Sequence, residues 1–114
     1  MFVAGYWWKI HPGKEDQFRA AWRRGTELIR QNYGSFGSRL HRQDMPDGGV
    51  RFVGIAEWPD RACWQAAYDA KMVYDEPATR AIFVESVAES SDGPMFLLEL
   101  TDDMLDHSQP WAEQ

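Results

Sequence analysis

Residues Glu57–Tyr68, EWPDRACWQAAY, read as the end of a strand running out into a helix. The strand is RFVGIAEW, residues 51–58, rich in β-branched and aromatic side chains. Pro59 has no N–H to give to a ladder. Asp60 offers a carboxylate to the free N–H groups of a first helical turn, so the chain turns helical there. On that helix, running to about Lys71, Trp64 and Tyr68 stand at i and i+4 and share one face. Two large rings with polar handles on one stripe form either core, the commoner use, or the wall of a pocket for a flat ligand.

Working back from this stretch, Met45–Gly49 is a strong turn signal and Ser35 to Asp44 reads as the strand that pairs with it. With Asp47-Gly48 as a two-residue turn, Leu40 faces Ile55 and Arg42 faces Val53. Arg39 and His41 then share a face with Phe52, Gly54, Ala56 and Trp58. Further back, Phe18, Ala21, Trp22, Gly25, Leu28 and Ile29 recur at helical spacing, which predicts a helix from Lys14 to about Asn32. Phe2 to Ile10 reads as a strand in which both alternating faces, Phe2/Ala4/Tyr6/Trp8/Ile10 and Val3/Gly5/Trp7/Lys9, are largely apolar.

Downstream, Pro77 at a first helical position predicts a short helix to about Ala88, and Met95 to Leu100 a final strand. The order is therefore β, α, β, β, α, a short extra helix, β. That is a ferredoxin-like βαββαβ arrangement of class α+β: a four-stranded antiparallel sheet with helices on one face. The domain occupies residues 1–101, and residues 102–114 form an acidic tail. Helices cover only one sheet face, so a first strand that is apolar on both faces calls for a second copy. A homodimer is expected.

The chain has 114 residues, enough for one domain, and is 44% hydrophobic and 26% charged. A net charge of −6 argues against nucleic acid as partner. No apolar run is long enough to span a bilayer, and MFVAGYWWKI lacks the features of a signal peptide. No membrane association and a cytoplasmic location are expected. The single cysteine, Cys63, excludes an intrachain disulfide and a multi-cysteine metal site. Six tryptophans are more than a core of this size needs, which points to an aromatic pocket, an oligomer interface or both.

KIHPGKEDQFRAAWRRG (residues 9–25), GSFGSRLHR (34–42) and RFVGIAEWPDRACWQAA (51–67) together resemble the antibiotic biosynthesis monooxygenase family of dimeric α+β barrels. The resemblance implies a ligand cavity between sheet and helices, and it includes cofactor-free oxygenases of polyphenols and quinols as well as haem-degrading enzymes. Where some members carry an asparagine on the first strand, this chain has Tyr6; Trp64 matches a helical aromatic. Residues 60 to 90 contain no histidine, which argues against the haem-degrading branch, leaving Tyr68 or Tyr74 as iron ligands of last resort.

A cofactor-free oxygenase needs a flat apolar pocket, a group to hold a phenolic proton and a donor or cation for the resulting anion. Tyr6, His41 and Arg39 are the candidate catalytic residues: His41 as base, imidazole being the side chain suited to proton transfer around neutral pH, and Arg39 as oxyanion partner. Each also has a structural explanation, Tyr6 as core and the other two as surface or interface groups. Trp8, Trp64, Tyr68 and Phe83 are the candidate substrate-binding residues. No cofactor and no metal site are expected. The function that follows is oxidation of a small aromatic quinol or polyphenol by a cofactor-independent monooxygenase. The alternatives are a non-catalytic ligand-binding or stress-associated dimer of the same fold, and a haem-binding protein.

Overall fold

The chain alternates strands and helices at points set by local chemistry. The computed structural model describes residues 1–72 and 75–108. Its elements are β1 (Phe2–Ile10), α1 (Glu15–Tyr33), β2 (Gly37–Asp44), β3 (Val50–Trp58), α2 (Arg61–Asp69), α3 (Pro77–Ser86), β4 (Val87–Ser90) and β5 (Phe96–Glu99). α1 stops at Gly34, whose left-handed backbone lets its N–H reach the Arg30 carbonyl. α2 starts where Asp60 Oδ1 accepts the Cys63 N–H at 2.8 Å.

All strand pairs are antiparallel, in the order β2-β3-β1-β4, with β5 also on β1. β4 pairs with Trp8–Ile10 and β5 with Phe2–Gly5, so the two share one edge of β1. The sheet is thus four strands wide, as expected, but holds five strands. The last helix ends at Ser86, two residues before the expected Ala88. Ser86 is fully buried. Its hydroxyl donates to the Ile82 carbonyl and accepts from Gln17 Nε2, and its carbonyl takes the His11 N–H, which fixes the chain for strand pairing at Val87.

The β2–β3 register differs by one residue from the two-residue-turn expectation. Asp44 pairs with Val50, Leu40 with Gly54, Arg39 with Ile55 and His41 with Val53. A turn centred on Asp47-Gly48 would need an N–H from Pro46 to close it, and proline has none. The loop is instead Pro46–Gly48. The Met45 N–H bonds the Gly49 carbonyl, the Gly48 N–H bonds the Met45 carbonyl, and Gly48 carries the positive φ such a three-residue loop requires.

Helices pack on the face carrying Phe2, Ala4 and Ile10, all buried. The core there is split. One cluster joins Phe2, Ala4, Trp58, Trp64 and Ala67, and the other joins Ile10, Phe18, Val50 and Phe52. On the open face the Phe96 ring lies over Gly5, and the Arg51 guanidinium lies 5.4 Å from the Trp7 ring centre. Among the described residues no helix is long and apolar enough to cross a membrane.

Candidate functional site

A cavity of about 610 Å³ lies between sheet and helices, bordered by residues of both core clusters. It exists because β3 supplies little bulk at mid-sheet. Gly54 stands opposite Tyr6, and Ala56 follows two residues on. A Cβ on Gly54 would sit 2.8 Å from the Trp8 ring, so glycine is what lets that ring lie flat along the sheet. Trp8 stacks near-parallel to Tyr6 at 6.2 Å and meets Phe83 edge-on at 5.6 Å, which builds one aromatic wall. Trp22 and Ile29 of α1 form the roof.

Tyr6 is the polar centre of the wall. Its hydroxyl oxygen accepts the Trp64 indole N–H at 2.9 Å, and its own proton has no acceptor among the described residues. Burial pushes the Tyr6 phenol above its ordinary pKa, the Trp64 hydrogen bond pulls it back, and nearby Tyr68 raises it further. The phenol is therefore neutral at physiological pH. It is a donor poised toward the cavity and not a base.

Trp64 is buried and stacks on Tyr68 at 5.0 Å, so it orients Tyr6 and Tyr68 from behind while Tyr68 reaches the cavity. The Tyr68 hydroxyl meets the loop between β4 and β5: a Cβ on Gly93 would fall 2.8 Å from it, and Gly93 has φ +79. That loop also anchors to β1 through Trp7 N–H to Ser91 Oγ and Met95 N–H to the Gly5 carbonyl. Trp58 also borders the cavity but is itself buried. Its indole N–H is the buried side-chain polar atom without a partner among the described residues.

Of the seven site residues expected from sequence, the structure gathers Tyr6, Trp8, Tyr68 and Phe83 on the cavity, with Trp64 behind them. It separates Arg39 and His41 from them. Paired with Ile55 and Val53, both point to the face away from the helices and are exposed; Ser38 and Leu40 take the inward positions. This corrects the shared face with Phe52, Gly54 and Ala56, and it follows from the one-residue register change. Tyr74 and residues 109–114 lie outside the described residues. Among the described residues no group of three or more His, Cys, Asp and Glu is placed to hold a metal.

Sequence reasoning missed Trp22, Lys71, Arg80 and Gly93 as cavity residues. Trp22 sits on the apolar stripe of α1 and reads as core. Lys71 and Arg80 carry no pattern that sets them apart from solvated charges.

Fold and cavity define an α+β domain with an aromatic-walled chamber between a ferredoxin-like sheet and its helices. The family model for antibiotic biosynthesis monooxygenases matches residues 1–73, and the chain belongs to that family. Among solved structures it is similar to Rv0793 from Mycobacterium tuberculosis, with 15% identity, a TM-score of 0.57, and 91% of this chain and 98% of that one covered. It is also similar to SnoaB, a cofactor-independent oxygenase from Streptomyces nogalater, at 11% identity, TM-score 0.59, and 92% and 97% coverage. A NIPSNAP domain protein from Burkholderia xenovorans follows at 18%, 0.56, 93% and 100%. At these identities the likeness is one of fold. Among curated proteins nothing matches this chain.

Proposed function

We propose that this chain is a cofactor-independent monooxygenase acting on a small aromatic quinol or polyphenol, working in the cytoplasm as a homodimer. The observation that carries the reading is the Tyr6 hydroxyl on an aromatic cavity wall, its oxygen engaged by Trp64 and its proton left to donate. Family membership and the fold shared with SnoaB support it. The keto tautomer of such a ring presents a CH₂ group. Loss of one proton gives an enolate that supplies electrons to O₂. Oxygen adds at that carbon as a hydroperoxide, and loss of water leaves a C=O. One oxygen atom enters the product and the other leaves as water with the two hydrogens. A preorganised donor such as Tyr6 stabilises the enolate oxygen.

The open sheet face supports the homodimer, since Val3, Trp7, Val53 and Ile55 remain only half-buried there. Sedimentation equilibrium at micromolar concentration checks this: a 13.2 kDa species with no larger form rules the dimer out.

A second reading, a non-catalytic binding module, is favoured by the displacement of His41 and Arg39 from the cavity. That displacement leaves no imidazole base on the wall among the described residues. Oxygen-electrode traces with a panel of quinols separate the two readings. The oxygenase reading expects O₂ uptake above autoxidation, reduced about 100-fold in Tyr6→Phe, the low end for loss of one oxyanion donor. Uptake equal to buffer, with tryptophan fluorescence still reporting binding, selects the binding module.

A further inference from the structure

We infer that the ligand of this cavity carries an anionic substituent, a carboxylate or its equivalent, at the end that lies at the mouth, and that Lys71 and Arg80 bind it. The inference rests on the reading of the cavity as an aromatic-ligand site.

Among the described residues three charged ones border the cavity: Asp69, Lys71 and Arg80. Asp69 already accepts a hydrogen bond from Gln65 Nε2 at 2.9 Å. Neither Lys71 nor Arg80 has an ion pair among the described residues, a state they share with Arg23, Arg30, Arg39, Arg51 and Arg61, but of these seven only Lys71 and Arg80 border the cavity. The cavity is thus bordered by a net positive charge in a protein of net charge −6. Two cations against one carboxylate on the border of a largely apolar pocket favour an anion at that point.

The backbone at Lys71 provides a second, independent observation. The Met72 N–H bonds the Ala67 carbonyl at 2.8 Å, and the Lys71 N–H bonds the Tyr68 carbonyl at 2.9 Å. This pair of bonds closes α2 as a Schellman cap and puts Lys71 at the position where glycine is usual. Lys71 has φ 59 and Met72 φ 46, the two non-glycine residues of positive φ in the described chain. Gly34 fills the corresponding place after α1. A side chain held in the left-handed region against its own preference, on the border of a cavity, marks a side chain that is used. Met72 packs into the first core cluster and anchors the cap from below.

The test compares a dihydroxynaphthalene with the same ring bearing a carboxylate, titrated anaerobically against tryptophan fluorescence. The carboxylate is expected to bind about tenfold tighter, the worth of one charge-assisted hydrogen bond. Lys71→Gly and Arg80→Gln should each shrink that preference and leave binding of the neutral ring unchanged, and added salt should narrow it. Lys71→Gly should keep the melting temperature or raise it by up to about 4 °C, because the cap prefers glycine. Equal binding of the two rings, or a preference that survives both substitutions, overturns the inference and leaves the aromatic site standing. Binding of neither ring overturns both.

Discussion

Replacing Tyr6 by phenylalanine isolates the hydrogen bond on which the site is built. The change removes one oxygen and leaves the ring stacked against Trp8, so it opens no cavity of consequence. What it leaves behind is the Trp64 indole N–H, on a residue 2% exposed, with its acceptor gone. A buried donor stripped of its partner costs about 1–3 kcal/mol. For a chain of this length that corresponds to a fall in melting temperature of roughly 4–12 °C. Trp64→Phe costs more, because ring volume is lost as well as the donor, and large-to-small changes at buried aromatic sites carry a packing penalty. The informative quantity is the coupling. Once Trp64 is phenylalanine no donor is stranded, so adding Tyr6→Phe should cost little further, and the cycle should show about 1–2 kcal/mol of interaction. Urea unfolding of the four proteins measures it. A Tyr6→Phe loss below about 0.5 kcal/mol with additive singles would refute the argument, because the N–H would then have another partner.

Other consequences follow from the same geometry. Because the folded Tyr6 phenol is held above its ordinary pKa, the unfolded chain ionises first; its stabilising contribution is complete below about pH 10 and lost above it. The stability difference between wild type and Tyr6→Phe should therefore shrink as urea titrations move past that pH. Phe18 is fully buried among Trp8, Phe52 and Phe83, so Phe18→Ala should cost about 3–5 kcal/mol. Trp22→Ala should cost distinctly less in the same urea series, since that half-buried ring borders a space already empty. Gly93→Ala should lose about 1–2 kcal/mol from its positive φ alone, and more from contact with the Tyr68 hydroxyl. Tyr68→Phe in the same chain should relieve the second part only.

The layout was legible where local chemistry and periodicity agree. Pro59-Asp60 announced the strand-to-helix change, the helical spacing from Phe18 to Ile29 announced α1, and apolar residues on both faces of Phe2–Ile10 announced a strand covered on both sides. Trp8, Tyr68 and Phe83 could be nominated for the cavity because big rings on inward faces have few other places to go. Beside the hairpin register, the misses have two physical sources. The split of the last strand depends on Ser86, a buried polar group whose partners Gln17 and His11 are remote in sequence. The cavity itself depends on where two core clusters fail to meet, which no stripe on one helix reports. Lys71 is the instructive case: its sequence context is that of a solvated helix end, and only its backbone angle and cap bonds reveal a residue out of character.

The hairpin register bears most directly on mechanism. Had Arg39 and His41 faced inward, the sheet would have buried two ionisable groups under α1, at a cost only good partners offset. The shift forced by Pro46 keeps both in water and gives the inward positions to Ser38 and Leu40. Among the described residues the chamber then has a neutral phenol donor, two cations on its border and a carboxylate already bonded by Gln65, but no imidazole. Under the oxygenase reading, proton loss must come from the substrate's own acidity, helped by Tyr6 and the positive border. The rate should then climb with the ionised fraction of each quinol, so that the midpoint of the pH–rate profile moves with the substrate's pKa. No step should appear near pH ~6.5, where an imidazole base titrates. His41→Ala should leave the profile unchanged within about twofold, the spread of ordinary surface changes of about 0.5 kcal/mol or less. Steady-state O₂ uptake between pH 5 and 9 with two quinols of different acidity decides the matter. A common inflection near ~6.5 that vanishes in His41→Ala would show that the histidine reaches the substrate after all, across a two-fold interface.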